Sequence, residues 1–338
     1  MKKLFLALSV LAMLIFAAVP SQALVSMPDA APGQDVLLPF FLTEITSGES
    51  TLLVIQEVGG AAQYLKFYVN DIDSAVAYNY QESMSAYDVA FWNVRDDFIA
   101  NASTVGKNML LYDLSGDGVN DHYAGYIDIQ NWTSLTSSVR TTDNNSLVAF
   151  MYQIDLASGI ASAAIIPAIE YEGNTQPQSD NMVNTTTRLE LFDARALAAA
   201  KARIAGVTPD ATPTSFSMYP RYYVHDSNAS NYLFSWRSTT TEYTYDWVFY
   251  DEAEAPLSGP VILTHELDII NVDDIVPAGH QSSTASWAGW INMVGTTGTN
   301  YTNTDQWVMY NYQKVVGGTV GTNWNVLYGV HRQVGTDS

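Results

Sequence analysis

The chain contains no cysteine among its 338 residues. Disulfides, thiolate metal ligands and thiol nucleophiles are all removed by that absence. Positive charge is scarce: 14 Lys and Arg stand against 35 Asp and Glu, a formal net charge of −21. A field of that sign repels phosphate backbones and anionic headgroups, so it argues against a nucleic-acid partner, while it attracts cations and favours solubility. After the first 20 or so residues no apolar run approaches the roughly 20 residues that a membrane-spanning helix needs. The motifs of common chemistries are missing too. There is no Gly-x-Ser-x-Gly elbow, no His-Glu-x-x-His, no Gly-x-x-x-x-Gly-Lys phosphate loop and no dinucleotide fingerprint.

Residues 1–23 do carry a pattern. Lys2 and Lys3 precede FLALSVLAMLIFAAV, and Ser21-Gln22-Ala23 supplies a small-x-small cleavage site. This is the layout of a bacterial secretory signal peptide. Its removal takes away two lysines and no acid, which leaves −23 on the mature chain. The expected address is secreted, at the cell surface or in the periplasm, with no membrane span after removal. Hydrophobic content of 47% with 12% aromatics is enough to build apolar cores without disulfides.

The strongest signal is an internal repeat. LVAFMYQ at Leu147–Gln153 returns as WVMYNYQ at Trp307–Gln313, and GYIDI from Gly125 returns as GWINM from Gly289. Asn93-Val94 answers Asn271-Val272, Phe67-Tyr68 answers Phe249-Tyr250, and Pro39–Phe41 answers Pro220–Tyr222. Matches in one order predict a duplicated domain. The blocks alternate with a period of two, as half-buried strands do. Val148, Phe150 and Tyr152 are expected on one core face, Val308, Tyr310 and Tyr312 on its equivalent, and Leu52, Val54 and Gln56 answer Tyr232, Phe234 and Trp236. The predicted fold class is all-β: two tandem antiparallel β-sandwich domains, immunoglobulin-like, with one connecting helix. The boundaries are 1–23 signal peptide, 24–172 first sandwich, 173–213 linker and 214–338 second sandwich. Within the linker, a helix at about 193–205 is expected, with Asp193 as N-cap and Gly206 and Pro209 at its end.

One segment has ligand chemistry. DLSGDGVND, Asp113 to Asp121, is an insertion without a counterpart in the second copy. Asp113, Ser115, Asp117 and Asp121 stand at relative positions one, three, five and nine, with Gly118 at six and the Val119 carbonyl at seven. Hard oxygens at that spacing suit Ca²⁺ in a structural, loop-bracing role. Ala124 stands where a complete EF-hand has a bidentate Glu, and the flanking segments look like strands. The bland alternative is an Asp/Gly-rich turn. The segment resembles the calcium loops of thrombospondin type 3 and dockerin repeats.

Other candidates are weaker. His265-Glu266 are adjacent strand residues that point to opposite faces. Asp251, Glu252 and Glu254 cluster at a turn and could form half of a glycosidase pair. Trp236, Trp247, Trp287, Trp290 and Trp307 could form a sugar-stacking platform or fill cores. The leader, VLLPFF, TLLVIQEV, PRYYV, FYDEAEAP, HELDIINV and GWINM together resemble a poorly characterised group of secreted Gram-negative proteins with duplicated β-sandwich domains. That resemblance implies the fold and no reaction. The expectation is an exported, non-enzymatic structural or interaction protein, binding itself, another surface protein or a glycan. A carbohydrate-binding protein is the alternative, with a hydrolase behind it.

Overall fold

The computed structural model describes residues 32–44, 48–72, 75–104, 111–112, 121–137, 146–156, 159–166, 168–169, 215–218, 220–224, 229–237, 241–281, 287–296, 307–315, 324–331 and 333–334. The first half contains β1 (Asp35–Glu44), β2 (Glu49–Glu57), β3 (Gln63–Asn70), β4 (Val76–Met84), β5 (Val89–Asn93), β6 (Leu111–Tyr112), β7 (His122–Trp132), β8 (Leu147–Asp155), β9 (Ile160–Ile165) and β10 (Ala168–Ile169). The second contains β11 (Ser215–Met218), β12 (Arg221–Val224), β13 (Ala229–Arg237), β14 (Tyr243–Asp251), β15 (Pro256–Leu263), β16 (Leu267–Asn271), β17 (Trp287–Thr296), β18 (Trp307–Val315), β19 (Trp324–His331) and β20 (Gln333–Val334). The signal peptide and the linker with its 193–205 helix lie outside the described residues. Among the described residues no helix is long and apolar enough to cross a membrane.

Two antiparallel sheets form each half, and their orders correspond. In the first half β10-β1-β7-β3-β4 faces β5-β2-β8-β9; in the second β15-β14-β17-β11-β20, with β12 also on β17, faces β16-β13-β18-β19. Registers correspond as well. Leu52 pairs with Tyr152 and Asn93, as Tyr232 pairs with Tyr312 and Asn271. Phe41 lies opposite Gly125, as Tyr222 lies opposite Gly289. Both Asn93 and Asn271 then cap a helical turn, α1 (Val94–Ile99), which runs on into α2 (Ala100–Thr104), and α3 (Val272–Ile275). Each asparagine side chain accepts the N–H two residues on, and acids fill each first turn, which satisfies orphan amides and suits the helix dipole.

One sequence match shifts. Val69 lies opposite Ile127 and Phe249 opposite Ile291, so Phe249 corresponds to Val69 and Phe67 to Trp247. A two-residue slip keeps every side chain on its face, so alternation alone cannot detect it.

The face expected for the first core also differs. On β8 the buried, inward residues are Leu147, Ala149 and Met151, while Phe150 is half-buried and Tyr152 exposed. Val148, Phe150 and Tyr152 do share one face, but it is the outer one. The segment LVAFMYQ is apolar at both parities, so its periodicity fixes the alternation and not which side meets the core. On β18 both faces are buried: Met309 joins the core of the second half, whereas Val308, Tyr310 and Tyr312 join the core of the first.

That division continues across the sheet. Leu233 and Ile270 pack in the second half, while Phe234, Trp236 and Leu267 pack against the first. Phe40 stacks on Phe234 with ring centroids 4.0 Å apart and planes within 10°. Tyr126 meets Trp236 edge-on at 6.0 Å. The two halves therefore share a hydrophobic seam. Burying each such ring contributes roughly 1.5–3 kcal/mol.

Candidate functional site

At the end of the seam lies the densest group of titratable side chains among the described residues. Glu49 opens β2 and is buried. Its Oε1 accepts hydrogen bonds from the Tyr312 hydroxyl at 2.6 Å and from Gln153 Nε2 at 2.9 Å. Its Oε2 lies 2.9 Å from Lys314 Nζ, which also reaches Asp155 Oδ2 at 2.9 Å. Tyr312 and Lys314 come from β18, 263 and 265 residues away. The clasp thus joins the halves with polar bonds where the aromatic stacking ends.

His122 opens β7 on the other side of Glu49. Its Nε2 is 3.6 Å from Glu49 Oε2 and 3.8 Å from Glu44 Oε1, and its Nδ1 is 2.6 Å from Asp121 Oδ1. Burial alone would raise the Glu49 carboxyl, but the His122 contact, the Lys314 charge and the Tyr312 hydroxyl together hold it below its ordinary value. Burial would likewise lower His122, yet Glu49 and Asp121 outweigh it and the imidazole is held up. Lys314 is held up by Glu49 and Asp155 against its own burial. Glu44 moves the other way from Glu49: burial, the largest influence, leaves it raised.

Glu44, Glu49 and His122 offer ligand atoms that all lie within 4.8 Å of one another. Two carboxylates and an imidazole are a fitting donor set for a divalent transition ion. However, Glu49 already binds Tyr312, Gln153 and Lys314 through both oxygens, and the Lys314 ammonium supplies the positive charge that Glu49 and Asp155 require. The arrangement works as a fastener without an added ion. Sequence reasoning missed it because Glu49, Asp155 and Lys314 sit at strand ends far apart in the chain, with no local spacing to mark them.

Of the residues assigned to calcium, Asp113, Ser115, Asp117 and Val119 lie outside the described residues. Asp121 is described, and its carboxylate turns toward His122. The last position of the predicted loop therefore abuts the clasp. Asp128, on the following strand, is buried.

The remaining candidates separate. Glu266 is buried, while His265 is half-exposed with its Nδ1 3.3 Å from Asp268. Asp268 accepts the Thr264 N–H and approaches Arg237 at 3.5 Å, so this group braces a turn. Trp236 and Trp247 are core residues, Trp287 packs edge-on against Tyr222 at 5.5 Å, and the Trp307 side chain lies outside the described residues. Trp290 stacks on Tyr250 at 4.0 Å and 7°, so one of its faces is covered. It lines an open depression of about 540 Å³ with Arg221, Asp251, Glu252, Glu254 and Gly289. Asp251 Oδ1 also accepts the Ala253 and Ala255 N–H groups and so holds the turn that forms the rim.

No protein-family model matches the chain. No curated protein matches it either. Among solved structures, the CupB6 tip adhesin from Pseudomonas aeruginosa aligns over 88% of this chain and 89% of its own, at 8% identity and a TM-score of 0.13.

Proposed function

We propose that the chain is an exported, non-enzymatic structural or interaction protein of the bacterial cell exterior or periplasm, with calcium bracing its 113–121 loop. The observation that carries this reading is the clasp. Its charged and hydrogen-bonding groups are used across the seam, Glu49 on Tyr312 and Lys314, Lys314 on Asp155, which stiffens a two-part body that acts through its surfaces. The secretory leader supports the address, and the strong acidity favours solubility there. Calcium is supported by the oxygen spacing of the loop.

Two measurements test the reading. Incubating the mature protein with glycan and peptide panels should give no turnover; reproducible turnover that a point substitution abolishes would refute the non-enzymatic role. Thermal melts in millimolar calcium against chelator should show a stabilisation that Asp117→Ala removes, because a ligand that binds the folded state raises its stability by mass action. No shift in the wild type would dismiss the calcium.

A glycan-binding role is the second reading, and the Trp290 depression favours it. An aromatic face beside Arg221 and Asp251 is suitable chemistry for stacking and hydrogen-bonding a saccharide. Trp290→Ala should then abolish retention on a glycan array.

A further inference from the structure

Glu44, His122 and Glu49 converge from three strands. Glu44 closes β1 and His122 opens β7, and the two are paired directly across the ladder, so their side chains stand together on one face. Glu49 opens β2 in the facing sheet. A carboxylate and an imidazole from one sheet thus meet a carboxylate from the other. Gly48 helps to place the first of them. Its φ of +87° lies in the left-handed region, and a methyl group there would strike the Glu44 carboxylate, so glycine is what lets that side chain lie over the turn.

His122 is set as a ligand. Its Nδ1 lies 2.6 Å from Asp121 Oδ1. A carboxylate can only accept, so Nδ1 carries the proton, and in the neutral ring Nε2 is the nitrogen left to ligate. A carboxylate that holds a histidine in this way is the usual outer support of a metal-bound imidazole. The His122 side chain is only 4% exposed, and its Nε2 points between the two glutamates, 3.6 Å from Glu49 Oε2 and 3.8 Å from Glu44 Oε1. Those distances are too long for hydrogen bonds. They lie within a few tenths of an ångström of the roughly 3.4 Å that separates neighbouring ligands of a tetrahedral ion.

We propose that Glu44, Glu49 and His122 bind one divalent transition ion, with Asp121 positioning the imidazole. An imidazole among carboxylates suits an ion such as Zn²⁺ better than Ca²⁺, which takes roughly six to eight oxygens. The Glu44 side chain is 28% exposed and gives the ion a way in from solvent. The clasp does not compete for these groups. Lys314 bonds to Glu49 and Asp155 and not to Glu44. A carboxylate oxygen has two lone pairs, so Glu49 Oε2 accepts the ammonium and holds the ion together. The ion ties the β1–β7 sheet to β2, a cross-link in a chain that has no cysteine to make one.

This site needs neither the interaction role nor the calcium loop proposed above. Isothermal titration of the chelator-treated, tag-free mature protein with Zn²⁺ alone tests it. One ion should bind per chain, and Zn²⁺ should raise the melting temperature above that in chelator. His122→Gln should abolish both effects. Asp121→Asn should weaken binding about 10–100-fold, as loss of an outer support does. Glu44→Gln, at a part-exposed position outside the clasp, should weaken it by at least about tenfold and leave the metal-free melting temperature unchanged, so it decides the matter if His122→Gln fails to fold. His265→Gln and Asp117→Ala should change nothing. Absence of saturable binding would overturn the proposal, and so would binding that survives Glu44→Gln unchanged. Binding lost with Asp117→Ala would overturn it as well, by moving the ion to the 113–121 loop. Any of these failures, with no turnover on the panels, leaves the non-enzymatic reading in place; zinc held at this site together with turnover refutes that reading and leaves the site.

Discussion

Val54 and Phe234 stand on the same rung of the same ladder, Val54 between Phe91 and Phe150, Phe234 between Ile269 and Tyr310. Phe234 is buried beneath Phe40, whereas Val54 is only half-buried. The strand pairing is the same, and what differs is whether another sheet lies over it. A residue's burial on the outer face of a sandwich is therefore set by the next layer and not by the strand that carries it.

The comparison is most easily broken at that rung. Phe234→Ala should cost about 3–5 kcal/mol, the usual loss for a large buried ring, while Val54→Ala should cost less than about 1 kcal/mol, as surface changes do. Chemical denaturation of both variants checks this, and equal losses would mean that the first-half face is covered in the isolated chain. Next in size is the clasp. Lys314→Ala leaves Glu49 and Asp155 buried without their cation and should cost about 3 kcal/mol; Ile154→Ala at the corresponding position should cost about 1 kcal/mol.

A third pair sharpens the likeness of the halves. A methyl group on Gly125 would collide with the Asn70 carbonyl and the Phe41 ring, and one on Gly289 with the Tyr250 carbonyl and the Tyr222 hydroxyl. Backbone carbonyls in a sheet cannot move aside. Gly125→Ala and Gly289→Ala should each destabilise by about 1–3 kcal/mol, and similar values would show that the two positions do the same work.

The smallest effect is with pH. Glu49 is held below its ordinary 4.5, so its contribution is present above that value and is lost as acid protonates it. His122 is held above its ordinary 6.5, so its contribution is complete below 6.5 and is lost as pH rises through the raised value. Glu44, raised by burial, also favours the acid side. Lys314 stays charged throughout. The seam should be firmest between about pH 4.5 and 6.5, where Glu49 is ionised and His122 protonated. Melting curves from pH 3 to 9 should show this maximum, and His122→Gln should flatten its alkaline limb.

Much of the frame was legible beforehand. The Gly125 and Gly289 blocks, the Asn93-Val94 and Asn271-Val272 pairs and the LVAFMYQ and WVMYNYQ strands all fall at corresponding points of the all-β architecture, whereas the helical turns that the two asparagines cap were not read from the sequence. The expected calcium loop rests on spacing alone, and of its residues only Asp121 is among those described. The clasp was not legible, because Glu49 and Lys314 sit 265 residues apart and neither is flanked by a pattern that points to the other.

Strand alternation depends on neighbours a few residues away, so the sequence by itself determined where the matched strands run and which residues share a face. Which face is covered depends on sheets brought together across hundreds of residues. Tyr152 and Tyr312 are the same residue type in matching strands, yet Tyr152 faces outward and Tyr312 closes on Glu49. Only the tertiary structure could decide that difference, because burial is a property of the layer that packs against a side chain.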